Sequence, residues 1–186
     1  MTREYILEAA AQVFRQKGFH GASMQDIAEA VKLQKASLYH HVSSKQEILL
    51  ALLDRALELL LERISPIASQ NIPADKKLSQ MIQAYLQILA ENTDLSAVLL
   101  FEHRSLERKQ HARHVPYRDK FEALWRSVLV EGVTTKLFTC EDPALTARAI
   151  LGILNWTITW YRPNGDLTID DIADQYSSLL LNGLLR

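Results

Sequence analysis

The sequence predicts an all-α protein, and three observations carry that prediction. Apolar residues recur three and four positions apart through almost every segment. Helix-capping and helix-ending residues punctuate those segments where one amphipathic run gives way to the next. No stretch alternates apolar and polar residues between hairpin turns, as a half-buried strand would. The chain has 186 residues, enough for one large domain or two small ones with a sizeable core.

In chain order, Ile6, Ala9, Ala10, Val13 and Phe14 mark a first helix over about residues 3–17. Gly18 follows as a C-cap, and Phe19 is placed to plug a small core between helices. Ser23 is an N-cap residue, with Asp26 three positions on completing a near-capping box. Ile27, Ala28 and Val31 give that second helix its inner face. A third runs from about Lys35 to Val42, leaving only Lys32 to Gln34 for the turn. Two short helices joined so tightly form a helix-turn-helix, whose second member enters the DNA major groove; the plainer alternative is a structural αα-corner.

DIAEAV followed by KASLYHHVSSKQEIL (residues 26–31 and 35–49) closely resembles the N-terminal domain of the TetR family of one-component repressors. The resemblance rests on Ala36, Ser37, Leu38, Tyr39, His40, His41, Val42, Lys45 and Glu47 in that order. It covers about residues 5–50, and the rest of the chain matches in layout. It implies a DNA-binding domain over residues 1–46 and a ligand-binding and dimerisation domain over residues 47–186. Three positions depart from the pattern. Lys32 stands where glycine is usual and is expected to take a positive φ. Gln34 replaces a good helix cap, and Val42 replaces an aromatic.

By the resemblance and by geometry, Gln34 and Lys35 reach base edges, glutamine suiting adenine and lysine guanine. Ser37 and His40 lie near the same face, and Ala36 permits close approach or contact with a thymine methyl. Ser23, Gln25, Tyr39 and Lys45 are the candidate phosphate contacts, which position without reading sequence. Core packing is the alternative for Tyr39, and solvated surface for His40 and His41. Charge agrees mildly: residues 1–45 carry +2 and the remainder −3. One such head makes too few contacts for tight specific binding, so a homodimer on double-stranded operator DNA is implied.

Gln46 to Ile64 is a long amphipathic helix ended near Pro66. Helices follow over about Asp75–Glu91 and Leu95–Lys109. The charged ERKQHARH and Pro116 then precede a helix bearing Tyr117, Phe121, Leu124, Trp125 and Val128. Asp142 and Pro143 start another, with Leu145, Ala149, Ile153, Trp156 and Trp160; Thr168 caps the last. The last two helices are apolar on more than one side, and in TetR-like proteins such a pair forms a four-helix bundle with its twin.

Aromatics concentrate in this body: Tyr85, Phe101, Tyr117, Phe121, Trp125, Trp156 and Trp160. They read either as ordinary core or as the lining of an effector site. The stretch Asn155-Trp156-Thr157 to Trp160-Tyr161-Arg162-Pro163 resembles the branch of the family that responds to acyl-coenzyme A thioesters. Such an effector needs an apolar tunnel and cations for its phosphates. Arg104, Arg118 and Arg162 are candidates, among a cationic run that also reads as a solvated helix end. The expected function is a repressor released by an acyl-CoA. A multidrug sensor of hydrophobic cations is the alternative, with Glu102 and Glu122 as its tempting carboxylates.

No cofactor is expected beyond the effector, and no enzyme. His111 and His114, with His103 and Glu107, are spaced permissively for a metal, but the neighbouring Arg and Lys repel a cation. Cys140 is followed by Glu141 and Asp142, which do not activate a thiol. A single cysteine suits a reducing cytoplasm. The longest apolar runs, such as Ile48–Leu53, fall far short of the ~20 residues that span a bilayer, so no membrane is expected.

Overall fold

The computed structural model describes residues 2–185. Its elements are α1 (Arg3–Gly21), α2 (Met24–Ala30), α3 (Lys35–Leu38), α4 (Lys45–Ala68), α5 (Ala74–Glu91), α6 (Thr93–Phe101), a 3-10 turn (His103–Ser105), α7 (Arg108–Thr134), α8 (Pro143–Trp160) and α9 (Ile169–Asn182). Among the described residues the only extended pairing is an isolated bridge between Phe138 and Leu185. The all-α expectation holds.

Local chemistry accounts for most boundaries. α1 breaks at Gly18, whose φ of +71° is one that side chains other than glycine rarely adopt, and a further turn reaches Gly21. Ser23 and Asp26 form a complete capping box on α2. Lys32 takes the left-handed turn expected of it, at φ +56°. Gln34 starts α3 with no side-chain cap, as expected. Asp142 caps α8 through the amides of Ala144 and Leu145, and Thr168 with Asp171 repeats the capping box on α9.

Several expected bounds need correction: the helix expected over Leu95–Lys109 ends at Phe101 before a 3-10 turn, and α4 runs through Pro66 to Ala68. α3 is only Lys35–Leu38, with turns rather than helix through His41. Its uncapped start and short length leave little to propagate a helix, and the buried Leu38 and Val42 fix the chain instead. A further correction concerns Pro116, which the sequence places between two helices and the structure places inside α7, a helix that begins at Arg108. An internal proline costs about 3 kcal/mol, so packing on both sides of it must compensate. His114 is buried before it, and Phe121 and Trp125 after it.

The chain divides into two compact units, each built from two segments. The first holds residues 1–57 and 92–117, so it is larger than the 1–46 expected from sequence. The reason is apolar cover: Val98 and Leu106, with Leu95 and Leu99 against them, complete the core made by Ile6, Phe14, Ile27, Leu38, Ile48 and Leu53. Arg15 pairs with Asp94 at 2.6 Å. The Gln46 side chain donates to the Ser105 carbonyl at 2.8 Å and accepts from the Glu107 amide at 3.1 Å. The second unit holds residues 58–91 and 118–186, with α5 packed against α8 and α9.

Candidate nucleic-acid interface and buried aromatic cluster

In the first unit, α3 and the turn after it are anchored from beneath and open above. Leu38 and Val42 are buried, whereas Gln34, Lys35, Ala36, Tyr39 and His40 are exposed and Ser37 is half-buried. Within the described residues no hydrogen bond or ion pair engages the side chains of Gln34, Lys35, Tyr39 or His40. Tyr39 is 48% exposed.

The four candidate phosphate contacts separate. Tyr39 is free to act. Gln25 is exposed, with its amide donating to Glu29 at 2.9 Å one turn along α2. Ser23 accepts from the Asp26 amide at 3.1 Å and donates to its carboxylate at 2.7 Å, so its hydroxyl is already part of the cap. Lys17 beside Asp26 at 2.6 Å, together with Ser23, brings that carboxyl down to a pKa of about 2.

Lys45 is engaged within the chain. Its Nζ donates to the carbonyls of Phe19 and Ala22, both at 2.7 Å, and sits 4.4 Å from the centre of the Phe19 ring. Those carbonyls lie in the last turn of α1 and at the residue just past it, so the ammonium caps the helix end with two of its three protons committed. The start of α4 is likewise satisfied internally. Ser44 accepts from the Glu47 amide at 3.1 Å, and the Glu47 carboxylate takes the Ser43 amide at 2.7 Å together with the Ser43 hydroxyl. Those bonds from Ser43 hold the Glu47 carboxyl below its ordinary pKa.

In the second unit, three of the candidate effector residues come together. Tyr85 stacks on Phe121 with ring centres 6.1 Å apart, and Trp125 meets both edge-on at 6.0 and 6.3 Å. The Tyr85 hydroxyl donates to the Asn155 side chain, and burial raises its pKa well above the usual phenol range. Lys77 is also buried and is paired with Glu131 at 2.7 and 2.9 Å.

The remaining candidates are not in this cluster. Trp156 and Trp160, expected among the effector residues, are 66% and 39% exposed. The inward stripe of α8 is Ala147, Ile150, Leu154 and Thr157, one register away. Arg118 and Arg162 are exposed, bonded to Asp119 and to the Tyr161 carbonyl. Phe101, Arg104 and Tyr117 belong to the first unit and are exposed. Sequence reasoning did not single out Gln46, Lys77 or Thr157 for these roles. Thr157 was legible as the next step of the Ala147–Leu154 stripe, whereas nothing in the sequence pairs Gln46 with Ser105.

A helix-turn-helix with an open second helix, carried by a chain whose other unit encloses aromatics, defines a DNA-binding transcription regulator. The chain belongs to the TetR family. The model described as bacterial regulatory proteins, tetR family, matches residues 6–52, and the tetracyclin repressor-like C-terminal domain matches residues 71–184. A crystal structure of the TetR family regulator PfmR from Thermus thermophilus is 36% identical, covering 97% of this chain and 99% of that one, with a TM-score of 0.88. The transcriptional repressor KstR2 of Rhodococcus jostii is 27% identical, over 98% of this chain and 90% of its own. AibR, solved in complex with isovaleryl coenzyme A and operator DNA, is 26% identical, with a TM-score of 0.90 over 96% of this chain and 97% of that one. Among the described residues, no helix is long and apolar enough to cross a membrane.

Proposed function

We propose that the protein is a homodimeric repressor that grips a palindromic operator through two helix-turn-helix units and releases it when an acyl-coenzyme A thioester binds the second unit. The observation that carries this reading is the match to AibR, whose structure holds both an acyl-coenzyme A and operator DNA. The buried trio of Tyr85, Phe121 and Trp125 supplies the apolar surface an acyl chain needs, and Arg118 and Arg162 supply guanidinium chemistry for its phosphates.

Dimerisation is supported by the outer faces of α8 and α9. Leu145, Trp156 and Leu179 are 63%, 66% and 64% exposed, and large apolar side chains left so open call for cover. Two heads on one dimer then match two half-sites. The effector acts by binding more tightly to the DNA-incompetent arrangement than to the competent one, because only a difference in affinity shifts a population.

The test is fluorescence anisotropy on an operator selected from random duplexes, titrated with coenzyme A esters from isovaleryl to long-chain. Release at micromolar ester supports the reading; binding indifferent to the whole panel sinks it. On the same operator, Gln34→Ala should relax base preference at one half-site position by about 1–3 kcal/mol. Tyr39→Phe should weaken all sequences alike. Uniform loss from both changes would remove Gln34 from the base readers.

A further inference from the structure

Residues 1–45 carry six lysines and arginines, and the fold uses them unequally. Arg3 is paired with Glu47 at 3.6 Å, Arg15 with Asp94 at 2.6 Å and Lys17 with Asp26 at 2.6 Å. Lys45 places two of its three protons on the carbonyls of Phe19 and Ala22. Within the described residues, the side chains of Lys32 and Lys35, alone among the six, make no hydrogen bond or ion pair. Both are exposed, and only Leu33 and Gln34 separate them. Three residues of chain span at most about 11 Å, so the two unengaged cations belong to one corner of the helix-turn-helix.

Lys32 is strained where it stands. The Leu33 amide donates to the Ala28 carbonyl at 2.8 Å and the Lys32 amide to the Glu29 carbonyl at 3.0 Å, the two bonds of a Schellman motif ending α2. That motif sets Lys32 at φ +56°, a backbone that glycine adopts freely and a lysine does not. Strain alone marks no site, since Lys136 just past α7 is left-handed too. What sets Lys32 apart is where the motif leaves its side chain. Leu33 packs on the core of the first unit, and Lys32 and Gln34 on either side of it are exposed. The carboxylates of α2 are engaged elsewhere: Glu29 accepts from Gln25 at 2.9 Å, and Asp26 is held by Lys17. An unpaired ammonium beside base-reading side chains complements a phosphate, a contact that positions a head on DNA without reading sequence.

We infer that Lys32 contacts a phosphate of the DNA, anchoring the turn so that Gln34 and Lys35 meet base edges in register. The direction α3 faces rests on the operator-binding reading; the contact rests on an unpaired, strained lysine next to the readers. Glycine would make this corner more stable and leave it without the anchor.

Fluorescence anisotropy of the full chain tests this, on the selected operator and on a random-sequence duplex over a series of salt concentrations, with urea denaturation of the same variants. Lys32→Gln removes the charge and keeps the backbone strained. It should weaken both duplexes roughly 5-fold and lower the slope of log affinity against log salt by roughly 0.9 per head. Lys32→Gly should lose DNA to the same extent while unfolding at a higher urea concentration than the wild type. Lys32→Arg should keep the wild-type affinity and slope. Unchanged affinity and slope in Lys32→Gln and Lys32→Gly would overturn the contact. So would a loss confined to one base pair of the operator, which marks a base reader. If no operator is selected, but both variants still lose affinity and slope on the random duplex, the operator reading falls while the contact stands. If an operator is selected and both variants grip it as the wild type does, the contact falls while that reading stands. If the wild type binds neither duplex, both fall.

Discussion

The two compact units treat polar and apolar side chains in opposite ways. In the first, polar side chains drawn inward are mostly spent on the chain itself. Lys45 caps α1, Gln46 holds the 3-10 turn, and His114 meets Asp54 at 3.2 Å; Gln110, with an unpartnered side-chain oxygen, is the exception. Around α3 the side chains left outside include Gln34, Lys35 and His40, polar and unengaged within the described residues, as a DNA reader needs. In the second unit, Trp125 and Thr157 place polar atoms inside without partners, while Leu145, Trp156 and Leu179 place apolar surface outside. The first unit is largely complete as it stands. The second leaves polar atoms unpaired and apolar surface uncovered within the single chain.

The strongest challenge to that contrast is Gly132→Ala. A Cβ at Gly132 would overlap the Phe138 ring, which is buried next to the pairing of the Thr139 amide with the Leu184 carbonyl at 2.7 Å. Urea denaturation should show a loss of roughly 3 kcal/mol. A loss below about 1 kcal/mol would mean that the second unit is soft throughout, and not merely open where ligand and partner belong. Next in size is Lys45→Met, which keeps the stem but removes two bonds to carbonyls. It should lower stability by about 2 kcal/mol, seen as an earlier denaturation midpoint. If stability were unchanged and only DNA affinity fell, Lys45 would be a phosphate contact after all.

Lys32→Gly should work the other way, adding about 0.5–1 kcal/mol by relieving a left-handed lysine at the helix-turn-helix corner. The smallest effect is in acid. Asp26 has its folded pKa lowered from 3.8 to about 2, so its contribution is present above about pH 4 and is lost as pH falls through about 2. Asp26→Asn should flatten that part of an acid titration of stability. An unchanged profile would show that the Lys17 and Ser23 contacts do not act on stability through Asp26.

How much of this was legible in the chain depended on how local the cause was. Capping boxes, the uncapped Gln34 and the left-handed Lys32 are decided within a few residues, and all were readable. The length of α7 was not, because Pro116 is a local stop signal overridden by burial of His114 on one side and Trp125 on the other. The register of α8 is also hidden from a reading by size. Trp156 and Trp160 look like core because they are large, whereas the smaller Ala147 and Thr157 mark the face that is buried. Lys45 shows the remaining gap: a lysine beside a DNA reader suggests phosphate, and only the fold reveals two carbonyls within its reach.

The short α3 has a consequence for how this regulator can change over generations. Its fold is secured by Leu38 and Val42, while Gln34, Lys35 and His40 support nothing else within the described residues. Those positions can be exchanged with little penalty to folding, so the exposed surface of the helix-turn-helix is free to drift or be re-engineered while the scaffold stays fixed.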